Sequence, residues 1–197
     1  MEARKASVER MTNETKIRLT INLDGTGQTN IDTGVGFFDH MLSGFARHGL
    51  FDLDLKCEGD LYVDSHHTVE DCGIVLGEGI RKALGDKKSI RRYGNFFVPM
   101  DEALILCAVD LSGRPYFVSN VQFTVPKIGE FDTEMVNDFF YAVSYAAMMN
   151  LHLRELAGTN NHHIAEGCFK AFGKALDMAV GYEERLKGSV WSTKGAL

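Results

Sequence analysis

Proline is scarce in this chain, three in 197 residues, and no Pro/Gly/Ser-rich linker divides it. The sequence therefore reads as one domain, residues 1–197. No apolar run approaches the ~18 residues of a membrane span, which excludes a membrane helix. There is no basic excess either. Lys and Arg total 21 against 27 Asp and Glu, a formal charge of −6. That balance argues against nucleic acid as a partner and leaves an anionic small molecule open, because local Arg and Lys clusters decide that. The four cysteines, Cys57, Cys72, Cys107 and Cys168, form no Cys-x-x-Cys pair, which disfavours a zinc ribbon or a thioredoxin-type site. Cys72 and Cys168 sit in helical patterns and read as small buried thiols. Reduced thiols imply a cytoplasmic protein, and the opening residues MEARKASVERMTNETK carry no signal-peptide core. The chain is 45% hydrophobic and 24% charged, ordinary for a globular protein that buries its own core.

Periodicity places the elements. KIRLTINLDGTG alternates at Ile17, Leu19, Ile21 and Leu23, a half-buried strand ending in a turn. VGFFDHMLSGFARHG has helical spacing and ends at Gly49. FDLDLKCEGDLYVDS reads as strand material with a Gly-Asp turn, and TVEDCGIVLGEGIRKALG as a helix closed by Gly85. Its internal glycines suit close helix packing. The order then repeats: strands around SGRP, a helix in TEMVNDFFYAVSYAAMMN, a strand in LHLREL, a last helix in HHIAEGCFKAFGKALDMAV. An offset of 96 residues superposes His66 on His162, Glu70 on Glu166, Cys72 on Cys168 and Gly77 on Gly173. The chain is thus two similar halves, about 1–95 and 96–197. The tail GSVWSTKGAL reads as mobile or late to order.

The repeat carries chemistry. Four of the seven histidines lie in two His-His-x-x-Glu clusters, His66/His67/Glu70 and His162/His163/Glu166. Residues on a helix turn by roughly 100°, so with His66 at zero, His67 lies near 100° and Glu70 near 40°. The paired imidazoles diverge, and each serves a different metal ion. Two sites result, mixing ligands from both halves or from two subunits. A single His-His pair is more often a surface pair; its duplication favours metal. Imidazole and carboxylate without thiolate suit Mn, Fe, Co or Zn with open positions for substrate. His40, at the start of a helix, is a further candidate ligand, with Asp39 beside it to orient its ring. His48 reads as a helix C-terminal cap, and His152 alternates within a strand. SIRRYG, SGRPY and STKG offer Arg91, Arg92, Arg114, Ser192 and Lys194 as a phosphate clamp.

The set INLDGTG, GFFDHML, HGLFDL, DSHHTVED, LSGRPY, NNHHIAEGCFKAFGKAL and STKG, in order from about Ser7 to Leu197, resembles imidazoleglycerol-phosphate dehydratase of histidine biosynthesis. The resemblance implies an α+β fold, an internally duplicated β-α-β-α unit with helices packed between two four-stranded mixed sheets. It implies a hydro-lyase that converts imidazoleglycerol phosphate to imidazole-acetol phosphate with two Mn(2+) per active site. It also implies a homo-oligomer, a 24-mer built from trimers, with active sites between subunits. The metal ligands it implies are His40, His66, His67, Glu70, His162, His163 and Glu166. The substrate contacts are Glu14, His40, His48, Arg92, Arg114, Ser192 and Lys194, and the catalytic set is Glu14, His67 and His163. Some relatives carry a metal-binding His where this chain has Asp138, which leaves ligation, action through water or a missing ligand open. An imidazolate bound between two metal ions, one on each ring nitrogen, would expel the hydroxyl, while acid/base residues move the protons. The same ligands would also suit a dinuclear metallohydrolase, recognisable by phosphate release from simple esters, or a metal-storage cage without turnover.

Overall fold

The computed structural model describes residues 3–197. Strands β1 (Lys5–Met11), β2 (Thr15–Asn22), β3 (Thr29–Asp32) and β4 (Asp52–Gly59) form one sheet in the order β1-β2-β4-β3. Strands β5 (Tyr93–Met100), β6 (Ala103–Asp110), β7 (Tyr116–Ser119) and β10 (Asn150–Ala157) form a second, β5-β6-β10-β7. Each sheet is antiparallel except for its last strand: β3 runs parallel to β4, and β7 to β10. Helices α1 (Gly36–Gly49), α2 (His66–Leu84), α3 (Met135–Ala147) and α4 (Asn161–Val180) lie between the sheets. A small hairpin, β8 (Lys127–Ile128) and β9 (Phe131–Asp132), belongs to the second half alone.

Alternation builds the central strands. Ile17, Leu19 and Ile21 of β2 point inward, as do Ile105, Cys107 and Val109 of β6. Besides the β8–β9 hairpin, three strands escaped the periodicity. Edge strand β1 buries only Val8, and β3 is short and exposed. Strand β5 buries a glycine: a Cβ at Gly94 would sit 1.8 Å from Ala175 O of α4. LYVDS is turn and loop rather than strand, since β4 stops at Gly59. Helix α1 includes Gly49, but the left-handed residue that ends it is Leu50, φ 58°, and Met148, φ 55°, ends α3 in the same way. That match sets an offset of 98 between the two short helices, so Asp138 stands in α3 where His40 stands in α1.

The helices pair across the halves. α2 packs on β1, β2 and β4 and against α3; α4 packs on β5 and β6 and against α1. Gly77 and Gly173 mark the two crossings: a Cβ would lie 2.6 Å from Val143 O at the first and 2.4 Å from Phe45 O at the second. Phe38, Phe45, Phe131, Phe139, Phe140, Phe169 and Phe172 fill the centre in stacked, tilted and edge-to-face contacts, joining both halves in one core. All four cysteines are buried and unpaired. The tail is tied down at its start, where Arg92 Nη1 donates to Trp191 O at 2.8 Å and Ser89 N to Ser189 O at 2.9 Å. No helix is long and apolar enough to cross a membrane among the described residues.

Candidate active site

Both His-His pairs open helices. Asn160 caps α4 by accepting from His162 N at 2.9 Å, and Asp64 accepts from His66 N at 2.8 Å at the start of α2. Within each pair the rings stand nearly perpendicular, 83° with centroids 6.1 Å apart in the first and 78° at 6.3 Å in the second. The two imidazoles of a pair face different partners: His162 Nε2 meets Glu166, while His163 Nδ1 meets Glu102.

His162 turns instead toward His40. Ligand atoms of His40, His162 and Glu166 lie within 4.8 Å of one another, drawn from α1 and α4 and hence from both halves. Glu166 is 8% exposed. Its carboxylate accepts from Lys170 Nζ at 2.7 Å and from His162 Nε2 at 3.1 Å, with His40 Nε2 at 3.6 Å. Burial pushes its pKa up, but Lys170, His40 and His162 outweigh that and hold it below the usual carboxylate value. Phe37 stands edge-on to His162, centroids 5.1 Å apart, as an apolar wall. Two imidazoles and an ionised, half-enclosed carboxylate converging at this spacing fit a divalent cation.

At the related place in the other half, His66 Nε2 lies 3.7 Å from Glu70 Oε2. Asp138 is half-buried on the neighbouring helix and joins no three-ligand group among the described residues. A cleft of about 200 Å³ opens beside His66, lined by Asp64, Lys127, Asp132, Glu134 and Met135.

His67 and His163 face carboxylates instead. Asp60 Oδ2 accepts from His67 Nδ1 at 3.0 Å, while Glu14 Oε1 lies 3.7 Å from Nε2. Glu102 Oε2 accepts from His163 Nδ1 at 2.8 Å, and Asp101 Oδ2 lies 3.9 Å from Nε2. Asp60 and Glu102 raise the pKa of their histidines. Glu102 also accepts from Asn160 N and Thr159 N, and with His163 these push it down to about 2. Glu14 is placed by its turn: Thr12 Oγ1 accepts from Glu14 N, and Thr15 Oγ1 donates to the buried Asp71 of α2 at 2.5 Å. Sequence reasoning missed Asp60 and Glu102. Asp39, expected to orient His40, instead accepts from Thr33 N at 3.0 Å, because its side chain is rotated about 100° from its neighbour's on the helix.

The expected phosphate clamp gathers elsewhere. Arg92 is 9% exposed and bidentate to Asp110, at 2.7 and 3.0 Å, so in a single chain it anchors the tail. Arg114 lies within the SGRP segment with its side chain exposed; Ser192 and Lys194 lie in the tail, where Ser192 Oγ accepts from Lys194 N at 3.2 Å. Arg92 N donates to Ala179 O near the C-terminal end of α4, whereas His162 and His163 begin that helix. The helical rise puts on the order of 25 Å between them. His48, on the last turn of α1, is exposed at its edge; partial burial and the nearby Lys170 and Lys174 lower its pKa. His152 is half-buried on β10 between the buried Leu151 and Leu153.

Residues 33–176 match the family described as imidazoleglycerol-phosphate dehydratase. The chain belongs to that family. An imidazoleglycerol-phosphate dehydratase of Lachnoclostridium phytofermentans is 60% identical over 194 residues, 98% of this chain and 98% of that protein. The one from Acetivibrio thermocellus is also 60% identical, covering 98% of this chain and 99% of its own. The crystal structure of imidazoleglycerol-phosphate dehydratase from Staphylococcus aureus superposes with a TM-score of 0.83 at 38% identity, over 91% of this chain and 99% of that one. The Pyrococcus furiosus enzyme, in complex with (S)-C348, gives 0.83 at 35%, over 96% and 100%. As an imidazoleglycerol-phosphate dehydratase family member the chain is a hydro-lyase of histidine biosynthesis, with the family's duplicated α+β fold.

Proposed function

We propose that this chain dehydrates imidazoleglycerol phosphate to imidazole-acetol phosphate with two divalent ions, manganese by preference, in sites completed between copies of the chain. The observation that carries the reading is the convergence of His40, His162 and Glu166 from opposite halves, which makes the two halves one working domain. His66 and Glu70 are the corresponding ligands in the first half, and His67 and His163 supply Nε2 to sites that one protomer leaves incomplete. Bound there, the two ions would lend Lewis acidity to the two ring nitrogens of a substrate imidazolate. The chain's own groups do the rest. Glu14, beside His67, is the proton-transfer carboxylate. Arg114, Ser192 and Lys194, with Arg92 behind them and His48 at the edge, orient the phosphate.

The distance within one protomer supports the shared site. A clamp on the order of 25 Å from the histidines cannot hold the phosphate of a substrate whose ring and phosphate are joined by three carbons. A second copy can bring its clamp to the first copy's metal site, which supports a homo-oligomer; the 24-mer built from trimers is what the family resemblance implies. The buried free thiols suit the cytoplasm. The test is direct: metal-stripped protein is reloaded with manganese, assayed for bound metal, and incubated with imidazoleglycerol phosphate. Two ions per chain and formation of the ketone are expected. A saturating content of one ion or fewer, or no ketone from the loaded enzyme, refutes the reading.

A further inference from the structure

Both halves hold a histidine by its Nδ1, yet they do so with residues that do not correspond. By the repeat, the hairpin residue before β2, Glu14, corresponds to the hairpin residue before β6, Glu102. In the second half that carboxylate is consumed on His163 Nδ1, at 2.8 Å. In the first half Asp60, at the end of β4, takes His67 Nδ1 at 3.0 Å, and Glu14 lies 3.7 Å away on the Nε2 side. Gly59 and Gly158 correspond, since a Cβ at each would meet Thr68 and Ile164, which are 96 residues apart, so the place of Asp60 in the second half is Thr159. Thr159 carries no carboxylate, and its N–H donates to Glu102 Oε1 at 3.2 Å, so the hairpin glutamate holds the ring.

A carboxylate accepts hydrogen bonds and donates none when ionised, so each of these contacts requires the proton on Nδ1 and leaves the lone pair on Nε2. We propose that Asp60 and Glu102 are positioning residues that commit Nε2 of His67 and His163 to metal binding, and that Asp60, by taking His67 Nδ1, leaves the hairpin glutamate Glu14 on the Nε2 side for proton transfer, where Asp101 stands beside His163 in the other half. The division of labour follows: two carboxylates orient ligands, and one of the two hairpin glutamates keeps a side chain that makes no hydrogen bond, 53% exposed and 3.7 Å from His67 Nε2. Outer carboxylates of this kind typically support metal affinity by 10–100-fold, through the ring's orientation and basicity.

The inference rests on the two-ion reading above, and its test uses no substrate. Full-length protein labelled with 15N-histidine is stripped of metal and examined by long-range proton–nitrogen NMR at alkaline pH, where imidazoles are neutral. His67 and His163, identified by His67→Gln and His163→Gln, should both carry the proton on Nδ1. Asp60→Ala should move the proton to Nε2 in His67 alone, and Glu102→Ala in His163 alone. Manganese titration should then show one of two ions weakened about 10–100-fold in each variant, with the other unchanged. Glu102 also holds two backbone N–H groups, so Glu102→Gln, which can still accept from them, serves if Glu102→Ala unfolds. Asp60→Glu should restore both the tautomer and the affinity lost in Asp60→Ala. Nε2-protonated rings in the wild type, or unchanged affinity in both variants, would overturn the proposal while leaving dehydration untouched. A wild type that binds two ions and dehydrates nothing would instead sink the functional reading alone.

Discussion

Glu14 separates two jobs that a carboxylate near a metal site can do. Glu14→Gln keeps size and hydrogen bonding and removes only the ionisable group. Turnover should fall by roughly 10²–10⁴-fold, with manganese stoichiometry unchanged. If Lys194 grips the phosphate, Lys194→Ala removes that contact instead, so KM should rise more than kcat falls. Steady-state constants for both variants at saturating manganese decide it; a Glu14→Gln effect confined to KM would reassign that residue. The histidine pairs were legible because residue types that bind metals recur at one spacing in two places. Glu14 drew notice only through the family resemblance, since a turn residue has no periodicity to betray it. Asp60 and Glu102 were invisible for a related reason: they reach His67 and His163 across 7 and 61 residues of chain, from a strand end and a hairpin. Asp39 misled because adjacency in sequence on a helix means divergence in space.

Two helix glycines make opposite predictions. At the crossing of α4 with α1, Gly173→Ala drives a methyl against Phe45 O and should destabilise by about 1–3 kcal/mol, as overpacking does. Gly44, inside α1, has open space around its Cβ, so Gly44→Ala should be neutral or stabilise by up to ~1 kcal/mol. Denaturant midpoints of the two variants give the comparison, and a stable Gly173→Ala would mean the crossing is looser than drawn. The helices and central strands were readable because their buried faces impose a period. Strands β1, β3 and β5 were not, since an edge strand has little to bury and β5 buries a glycine where a helix backbone presses on it.

Charge and assembly act on the molecule as a whole. Asp60 and Glu102 raise the pKa of His67 and His163 above the ordinary 6.5. Their stabilisation of the metal-free fold is complete below 6.5 and fades as pH rises through the folded values. Glu102 is displaced from 4.5 to about 2, so its share is complete above 4.5 and is lost as pH falls toward 2. The contribution of these two pairs to the metal-free protein should therefore be greatest between about 4.5 and 6.5, against a smaller opposing effect of His48, whose pKa is lowered, and manganese, which needs unprotonated imidazole, should move the optimum upward. Melting temperatures across pH with and without manganese test this; an optimum unmoved by metal would contradict histidine ligation. If clamp and metals come from different copies, His163→Ala and Arg114→Ala should each be inactive alone and regain part of the activity when unfolded and reassembled together. Mixtures that stay silent would confine each site to one copy. The pairing of α1 with α4 and of α2 with α3 has a last consequence, which concerns freedom to vary. Two identical half-length chains meeting around a twofold axis would be forced to carry the same residue at both related places. Joined in one chain, the places are independent, and His40 and Asp138 differ there, so one of the two related places can be retuned while the other stays as it is.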